Sequence, residues 1–289
     1  MIKYAVITDE ISQDIGVASK LASEFGLDGI EIRSVNDRPP QLLTDDDIAE
    51  IKGAMEKYNL RCAAISSPVF KCDLTEENIE ENIKILKKCI SLAHTLGTKF
   101  IRAFTFFKGG SFEAALPEIV DAYKKIYPIL CDEDIYLLLE SDPSLNASCG
   151  KTLSEVIRAI NLDRVKGLWD PGNDIYSPEQ EIPYPDGYSY MKNTVSHVHI
   201  KDAVKNPDGT ISGAPFGKGD VDFVGQLTAL RDDGYEGWMV METHYRVKCE
   251  IPEELLTRPQ GSAFSLGGYE ATKECLTNFF EMIDKLEMR

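Results

Sequence analysis

The sequence is poor in histidine, closely spaced cysteines and long apolar runs. Its 289 residues include 4 histidines and 7 cysteines, and no two cysteines form a CxxC pair. Neither a disulfide framework nor a cysteine metal knuckle is therefore predicted. No apolar stretch approaches the roughly 20 residues of a membrane span, and the opening MIKYAVITDEIS lacks the apolar run of a signal peptide. We expect a cytoplasmic protein with no membrane partner.

Basic residues are also scarce. The chain has 31 lysines and arginines against 48 acidic residues, for a net charge of −17. Nucleic-acid binders generally carry a basic footprint that neutralises phosphates, so the composition predicts no nucleic-acid partner.

What the sequence does contain is a regular alternation of strand-like and helix-like segments. Short apolar runs recur, and each is followed by helical periodicity, which is typical of βαβ units in a parallel sheet. Eight strands close a barrel of this type, and a hydrophobic content of 43% supports one core. We predict an α/β fold, a (β/α)₈ TIM barrel in which residues 1–289 form a single domain. Its strands are Tyr4–Ile7, Gly29–Ile32, Cys62–Ser66, Phe100–Ala103, Tyr136–Glu140, Lys166–Asp170, His197–Lys201 and Trp238–Glu242.

Two helix starts are readable from capping residues. Thr75 precedes a long amphipathic stretch that runs to Leu96, where Gly97 is suited to end the helix. Thr44 begins another helix, and the acidic run 45–47 after it suits the positive end of a helix dipole. That run is predicted to be a helix start, not a metal site.

Three long segments follow late strands. Pro171–Asp186 is predicted to be a loop before a short helix at Tyr188–Asn193, while Ala203–Asp222 and Tyr245–Gly268 are long insertions. Ala271–Leu286 is predicted to be the closing helix. Loops after the strands build the active-site face of a barrel, so these segments are where substrate recognition is expected.

Four late strands end in side chains that bind hard metals. The segments YLLLE, GLWD, HVH and WMVME end in Glu140, Asp170, His199 and Glu242. In a barrel such ends converge on one mouth. This oxygen-rich set with a single imidazole predicts one divalent metal ion, with Mn²⁺ favoured and Mg²⁺, Co²⁺ or Zn²⁺ compatible.

The motif HVHIKD carries two histidines of the same strand parity. His199 lies nearer the mouth and is the predicted ligand, and His197, one layer deeper, is predicted to face the substrate or to support the ligand. Asp202 is expected to orient His199 or to bind substrate. His94 and Glu31 have simpler structural interpretations, although Glu31 could also face the substrate. Two tryptophans, Trp169 and Trp238, are predicted to point away from the pore.

The ordered motifs together resemble a known family. DGIEIR, ISSPVF, GTKFIRAF, LWDPGN, HVHIKD and FGKGDVDF, with the strand ends at Glu140 and Glu242, resemble the xylose isomerase-like TIM barrel superfamily. That group includes sugar phosphate isomerase/epimerase proteins, ketose 3-epimerases, inosose dehydratases and apurinic endonucleases of the second type. The resemblance implies that Glu140, Asp170, His199 and Glu242 hold the metal. It also implies that Glu140 and Glu242 exchange a proton at a carbon next to a carbonyl.

The expected function is therefore a metal-dependent isomerase or epimerase of a small sugar, sugar phosphate or related keto-polyol, acting through an enediolate. A dehydratase of a keto-sugar or inosose using the same site is the first alternative, and a non-catalytic sugar-binding barrel is a second. The oligomeric state is left open, homo-oligomers included. Predicted substrate-binding residues are Arg102, Asn173, His197, Lys201, Asp202, Lys218 and Arg246.

Two departures from the family pattern narrow the choice. The resemblance to ketose 3-epimerases of this group implies a histidine three positions after the aspartate of strand six, where this chain has Asn173. This difference weakens the interpretation of the chain as a plain ketose epimerase. The extra histidine ligands of the apurinic endonucleases are missing from SSPVF, IRAF and DPGN and from the stretch to FGKGD, so a three-metal nuclease is disfavoured.

Overall fold

The computed structural model describes residues 1–247, 250–252, 254, 255, 259 and 261–289. Cys249 lies outside these residues, and the other six cysteines are free thiols. The strands are β1 (Lys3–Ile7), β2 (Gly29–Ile32), β3 (Arg61–Val69), β4 (Phe100–Ala103), β5 (Tyr136–Glu140), β6 (Val165–Trp169), β7 (Val195–Ile200), β8 (Asp202–Lys205), β9 (Ile211–Ala214) and β10 (Trp238–Met241).

Eight of these strands close into a parallel barrel. Their order around it is β1, β10, β7, β6, β5, β4, β3 and β2, while β8 and β9 form a separate antiparallel hairpin. The predicted (β/α)₈ architecture is confirmed. Because β5, β6, β7 and β10 are neighbours in this order, their carboxyl ends meet on one side of the mouth.

The helices surround the barrel. They are α1 (Ile15–Glu24), α2 (Asp45–Tyr58), α3 (Glu76–Leu96), α4 (Phe112–Asp132), α5 (Gly150–Ile160), α6 (Pro171–Tyr176), α7 (Tyr188–Met191), α8 (Phe223–Asp232), α9 (Gly261–Ser265) and α10 (Gly268–Lys285). Within the described ranges, none is long and apolar enough to cross a bilayer.

Local capping explains where α2 and α3 begin. The Thr44 hydroxyl accepts the Asp47 amide, and the Asp47 carboxylate accepts the Thr44 amide, which completes a capping box. Thr75 caps α3 through the Asn78 amide, and Gly97, with φ of 74°, follows its last residue. Both predicted helix starts are confirmed.

The barrel interior is layered. At its amino end Ala5, Ala63, Val240 and Trp238 pack together. The prediction that Trp238 points out of the pore is wrong, because residues 238, 240 and 242 share strand parity and all face inward. Trp169 does lie in the helix layer, as predicted, where its indole N–H donates to Gln226 at 2.8 Å.

Two segments predicted to be irregular contain regular structure. The start of Pro171–Asp186 forms α6, because Asp170 caps it and Pro171 occupies its first position. The segment after β7 holds the hairpin β8–β9, in which Gly213 lies so close to the backbone that a Cβ would be 1.8 Å from the His244 carbonyl oxygen. This close approach requires glycine and holds the hairpin against the chain that follows β10.

We predict that Thr44→Ala lowers the free energy of unfolding by about 1 kcal/mol, because one amide at the start of α2 loses its acceptor. Urea unfolding followed by circular dichroism measures this loss. Thr277→Ala, at an exposed position inside α10, is the control and should be neutral or slightly stabilising. Equal effects of the two substitutions would contradict the role of the cap.

Candidate functional site

Four predicted ligands meet at the carboxyl ends of neighbouring strands. Glu140 ends β5, Asp170 follows β6, His199 lies in β7 and Glu242 follows β10. All four are buried, and one potential ligand atom from each lies within 4.8 Å of the others. His199 Nδ1 is 3.1 Å from both Glu140 Oε1 and Glu242 Oε2. The arrangement is a compact set of three carboxylates and one imidazole that suits a hard divalent cation.

The three carboxylates of this set differ in how readily they ionise. Burial opposes ionisation of Glu140 and Glu242, but the cations of Arg102 and Lys201 hold the pKa of each below its usual range. Burial, aided by Glu242 and Glu140, raises the pKa of Asp170 to about 7 although Lys201 opposes the shift. Burial alone would lower the pKa of His199, but the carboxylates of Glu31 and Glu140 raise it well above its usual range. A cation placed among these groups would relieve the repulsion.

Three predicted substrate-binding residues lie against this ligand set. Lys201 Nζ is 2.7 Å from Asp170 Oδ2 and 3.2 Å from Glu242 Oε2. Arg102 Nη1 donates to Glu140 at 3.1 Å. The Asn173 amide donates to the Ser141 carbonyl at 2.8 Å. The structure therefore brings Arg102, Asn173 and Lys201 together with the four ligands.

His197 lies one layer deeper than the four ligands, as predicted, whereas Asp202 does not contact His199. His197 is fully buried, and its Nε2 lies 2.7 Å from Glu31 Oε2. The carboxylate on the second nitrogen of His199 is also Glu31, at 3.0 Å, instead of Asp202. Asp202 instead accepts backbone amides from the loop after the hairpin, at residues Gly217, Gly219 and Val221.

The last two predicted binding residues lie apart from the ligands. Lys218 is exposed. Arg246 is buried and donates to the carbonyl oxygens of Phe264 and Leu266 at 2.5 and 3.1 Å, and it reaches Glu10 at 3.4 Å. Its visible task is to hold the chain around α9 against the barrel.

Arg33, with its partners Asp9 and Glu10, was not predicted from the sequence as part of the site. Arg33 Nη1 is 2.5 Å from Glu242 Oε1, and its other nitrogens reach Glu10 at 2.7 Å and Asp9 at 3.0 Å. His244 Nε2 lies 3.3 Å from both Glu10 and Glu242. A signal was present in DGIEIR, because Arg33 follows the inward-facing Glu31 at the same parity.

Carboxylates outnumber cations in the ion-pair network that these residues form. Its six carboxylates are Asp9, Glu10, Glu31, Glu140, Asp170 and Glu242, and its four permanent cations are Arg33, Arg102, Lys201 and Arg246. When the three histidines of this network are neutral, as His199 must be to bind a metal, two negative charges among the described residues are uncompensated. Without a metal, the raised pKa of His199 favours its charged form, which compensates one of them. Uncompensated buried charge is costly, and one divalent cation would balance it.

A cavity opens beside the network. Its volume is about 420 Å³, within the range of small-molecule pockets, and Arg33, Ser66 and Arg102 form part of its wall together with Lys71, Asn78 and Phe104. Since Arg33 and Arg102 also touch Glu242 and Glu140, a molecule in this cavity would lie next to the four-ligand set.

We predict that Arg33→Met lowers the free energy of unfolding by about 3 kcal/mol or more, because it leaves buried carboxylates unpaired. Arg33 is 3% exposed, whereas Arg38, which pairs with Asp47, is 46% exposed. Arg38→Met is the matched control and should cost at most about 1 kcal/mol. Urea unfolding of the metal-free proteins makes the comparison, and a loss no larger at Arg33 than at Arg38 would contradict it.

Comparison with known proteins places this geometry in a family. The model of the xylose isomerase-like TIM barrel family matches residues 19–263. An inosose dehydratase of Clostridium botulinum is 23% identical over 260 residues, which cover 80% of this chain and 84% of that protein. The structure of a D-allulose 3-epimerase from Methylomonas sp. in complex with D-allulose has 18% identity and a TM-score of 0.73, and the match covers 97% of each chain. A xylose isomerase-like TIM barrel protein from Mycobacterium smegmatis in complex with magnesium has 18% identity and a TM-score of 0.68 over 95% of this chain and 90% of that one. This chain belongs to the xylose isomerase-like TIM barrel family.

Proposed function

We propose that this protein is a metal-dependent enzyme that isomerises or epimerises a small sugar-like substrate. The observation that carries the proposal is the convergence of Glu140, Asp170, His199 and Glu242 in a network whose described carboxylates outnumber its described lysines and arginines by two. One divalent cation fits both the donor atoms and the charge. The epimerase and the inosose dehydratase among its relatives support a substrate that is a sugar or a cyclic polyol.

Mn²⁺ is the metal we favour, because three carboxylates and one imidazole form a hard donor set. A structural neighbour that was solved in complex with magnesium supports a hard divalent ion. When bound, the ion would stabilise the negative charge that develops on the substrate oxygens as a proton leaves the neighbouring carbon.

Glu140 and Glu242 are the groups we assign to proton transfer. They approach His199 Nδ1 from two strands, at 3.1 Å each, so they can flank a substrate that enters from the cavity. One carboxylate takes the proton from the carbon beside the carbonyl, and the electron pair of that C–H bond moves toward the carbonyl oxygen. Return of a proton to the opposite face of that carbon gives an epimer, and return to the neighbouring carbon gives an isomer.

The cations around the two glutamates would keep both carboxylates charged and in place. Arg102 holds Glu140 at 3.1 Å, while Arg33 and Lys201 hold Glu242 at 2.5 and 3.2 Å. Lys201 and Arg102 also carry hydrogens suited to substrate hydroxyl or carbonyl oxygens. We propose that they bind substrate, with Asn173 beside them.

Dehydration of a keto-sugar or inosose is the second candidate. The inosose dehydratase matches span most of this chain, and Asn173 stands where we expected a histidine for a ketose 3-epimerase. In this reaction the same carboxylate removes the proton, and the electron pair expels a hydroxyl group from the next carbon, which leaves as water after receiving a proton.

Mass spectrometry in deuterated water tests and separates the two reactions. We predict that the protein loaded with Mn²⁺ incorporates one deuterium beside the carbonyl of at least one member of a panel of keto-sugars, inososes and sugar phosphates. A product whose mass is that of the substrate minus one water would identify the dehydratase. Absence of both deuterium uptake and water loss across the panel, with metal bound, would favour the non-catalytic sugar-binding barrel.

Two substitutions test the assignment of the glutamates. We predict that Glu140→Gln and Glu242→Gln each reduce deuterium uptake by roughly 10²–10⁴-fold or more, because each removes a ligand charge and a proton acceptor. Glu179→Gln is the control, since Glu179 lies in the loop after α6 and binds Ser148, Ser177 and Lys108. Near-normal turnover in either of the first two variants would disprove the two-carboxylate mechanism.

A further inference from the structure

Glu31 lies beneath the four-ligand set and uses both of its oxygens on histidines. Its Oε1 is 3.0 Å from His199 Nε2, and its Oε2 is 2.7 Å from His197 Nε2. The Ser66 hydroxyl also donates to Oε1. All three ionisable side chains are fully buried. The carboxylate of Glu31 is therefore held from two strands other than its own.

The contact with Glu31 bears on which nitrogen of the His199 ring carries a hydrogen and which can bind a metal. A neutral imidazole carries one N–H and one lone pair, and a carboxylate can only accept the N–H. With carboxylates on both nitrogens, His199 favours the charged imidazolium when no metal is bound. If a metal takes the place of the hydrogen on Nδ1, Glu31 would keep the remaining hydrogen on Nε2. Nδ1 is the nitrogen that faces Glu140 and Glu242.

His197 keeps Glu31 in this position. It lies two residues before His199 on β7 and packs against that ring edge to face, with the ring centroids 5.5 Å apart. Its Nε2 donates to the second oxygen of Glu31, so the carboxylate cannot rotate away without losing a buried hydrogen bond. His197, Glu31 and His199 thus form a chain of contacts that runs from the barrel interior to the mouth.

We propose that Glu31 is a positioning residue that, held by His197, orients His199 for metal binding. The inference rests on the proposed function, because it assumes that His199 Nδ1 is a ligand. Carboxylate partners of metal-binding histidines commonly fix the ring and its tautomer, and their loss weakens metal binding by roughly 10–100-fold.

A competing arrangement uses the same atoms differently. Glu31, His197 and His199 also have potential ligand atoms within 4.8 Å of one another, so Glu31 could bind a metal directly. Asp170 is a ligand only in the set Glu140, Asp170, His199 and Glu242. Its loss should weaken metal binding to that set and should spare a metal held by Glu31, His197 and His199. Asp170→Asn therefore distinguishes them.

The experiment compares Mn²⁺ affinity and stoichiometry by titration calorimetry in wild type, Glu31→Gln, Asp170→Asn and the control Asp142→Asn. Asp142 is a partly buried carboxylate that follows β5, pairs with Lys71 at 2.7 Å and contacts none of the four ligands. We predict one ion per chain in the wild type, with affinity 10–100-fold lower in Glu31→Gln, and wild-type affinity in Asp142→Asn. Asp170→Asn should lose more affinity than Glu31→Gln.

A second readout follows the ring itself. With Mg²⁺ bound, long-range proton–nitrogen NMR of the protein, which has 4 histidines, should show His199 with its hydrogen on Nε2. In Glu31→Gln, whose amide can also donate to Nε2, rings without metal and with the hydrogen on Nδ1 should appear beside the metal-bound form. If Glu31→Gln fails to fold, His197→Phe removes only the N–H that holds Glu31, and metal affinity should fall severalfold in the same direction.

The outcomes separate the inference from the proposed function. Unchanged affinity and an unchanged tautomer in Glu31→Gln, with metal bound in the wild type, would overturn the positioning role and leave the metal enzyme intact. Abolished metal binding in Glu31→Gln, with binding kept in Asp170→Asn, would overturn the positioning role in favour of a metal site formed by Glu31, His197 and His199. A wild type that binds no divalent ion would overturn both proposals.

Discussion

Buried negative charge at the carboxyl end of the barrel is the constraint around which the rest of the structure is arranged. Along the barrel axis, the interior changes from apolar packing around Trp238 to a layer of carboxylates at the carboxyl ends of the strands. Carboxylates out of water are unstable unless they are paired or bind a metal. The chain meets part of this requirement with Arg33, Arg102, Lys201 and Arg246, which among the described residues are two fewer than the carboxylates they pair with. We propose that a divalent cation balances the remainder.

The same charges tie the loops to the mouth. Arg246 joins Glu10, in the turn that follows β1, to the carbonyl oxygens of Phe264 and Leu266 near α9. Asp202 gathers the backbone amides of Gly217, Gly219 and Val221 after the hairpin. Two residues first considered for substrate contact thus hold loops in place, because buried donors and acceptors must find partners.

Membership of the family leaves the reaction open. One barrel supports many chemistries through its loops, and the relatives reported above include both an epimerase and a dehydratase. Proton removal beside a carbonyl is common to both, so the ligand set alone does not choose between them. The choice depends on what binds the departing or returning group, a role for which we propose Arg102, Asn173 and Lys201.

The sequence by itself determined what depends on local geometry and on period. Strand alternation predicted the barrel, capping residues predicted the starts of α2 and α3, and the parity of HVH predicted that His199 faces the mouth. Trp238 was misassigned although its parity with Glu242 was available, and α6 was missed although Asp170 and Pro171 signal its start. Only the tertiary structure decided the pairings. Glu31 meets His199 across 168 residues, and Arg33 meets Glu242 across 209. No periodicity encodes such contacts, because they depend on how strands distant in the sequence become neighbours when the barrel closes.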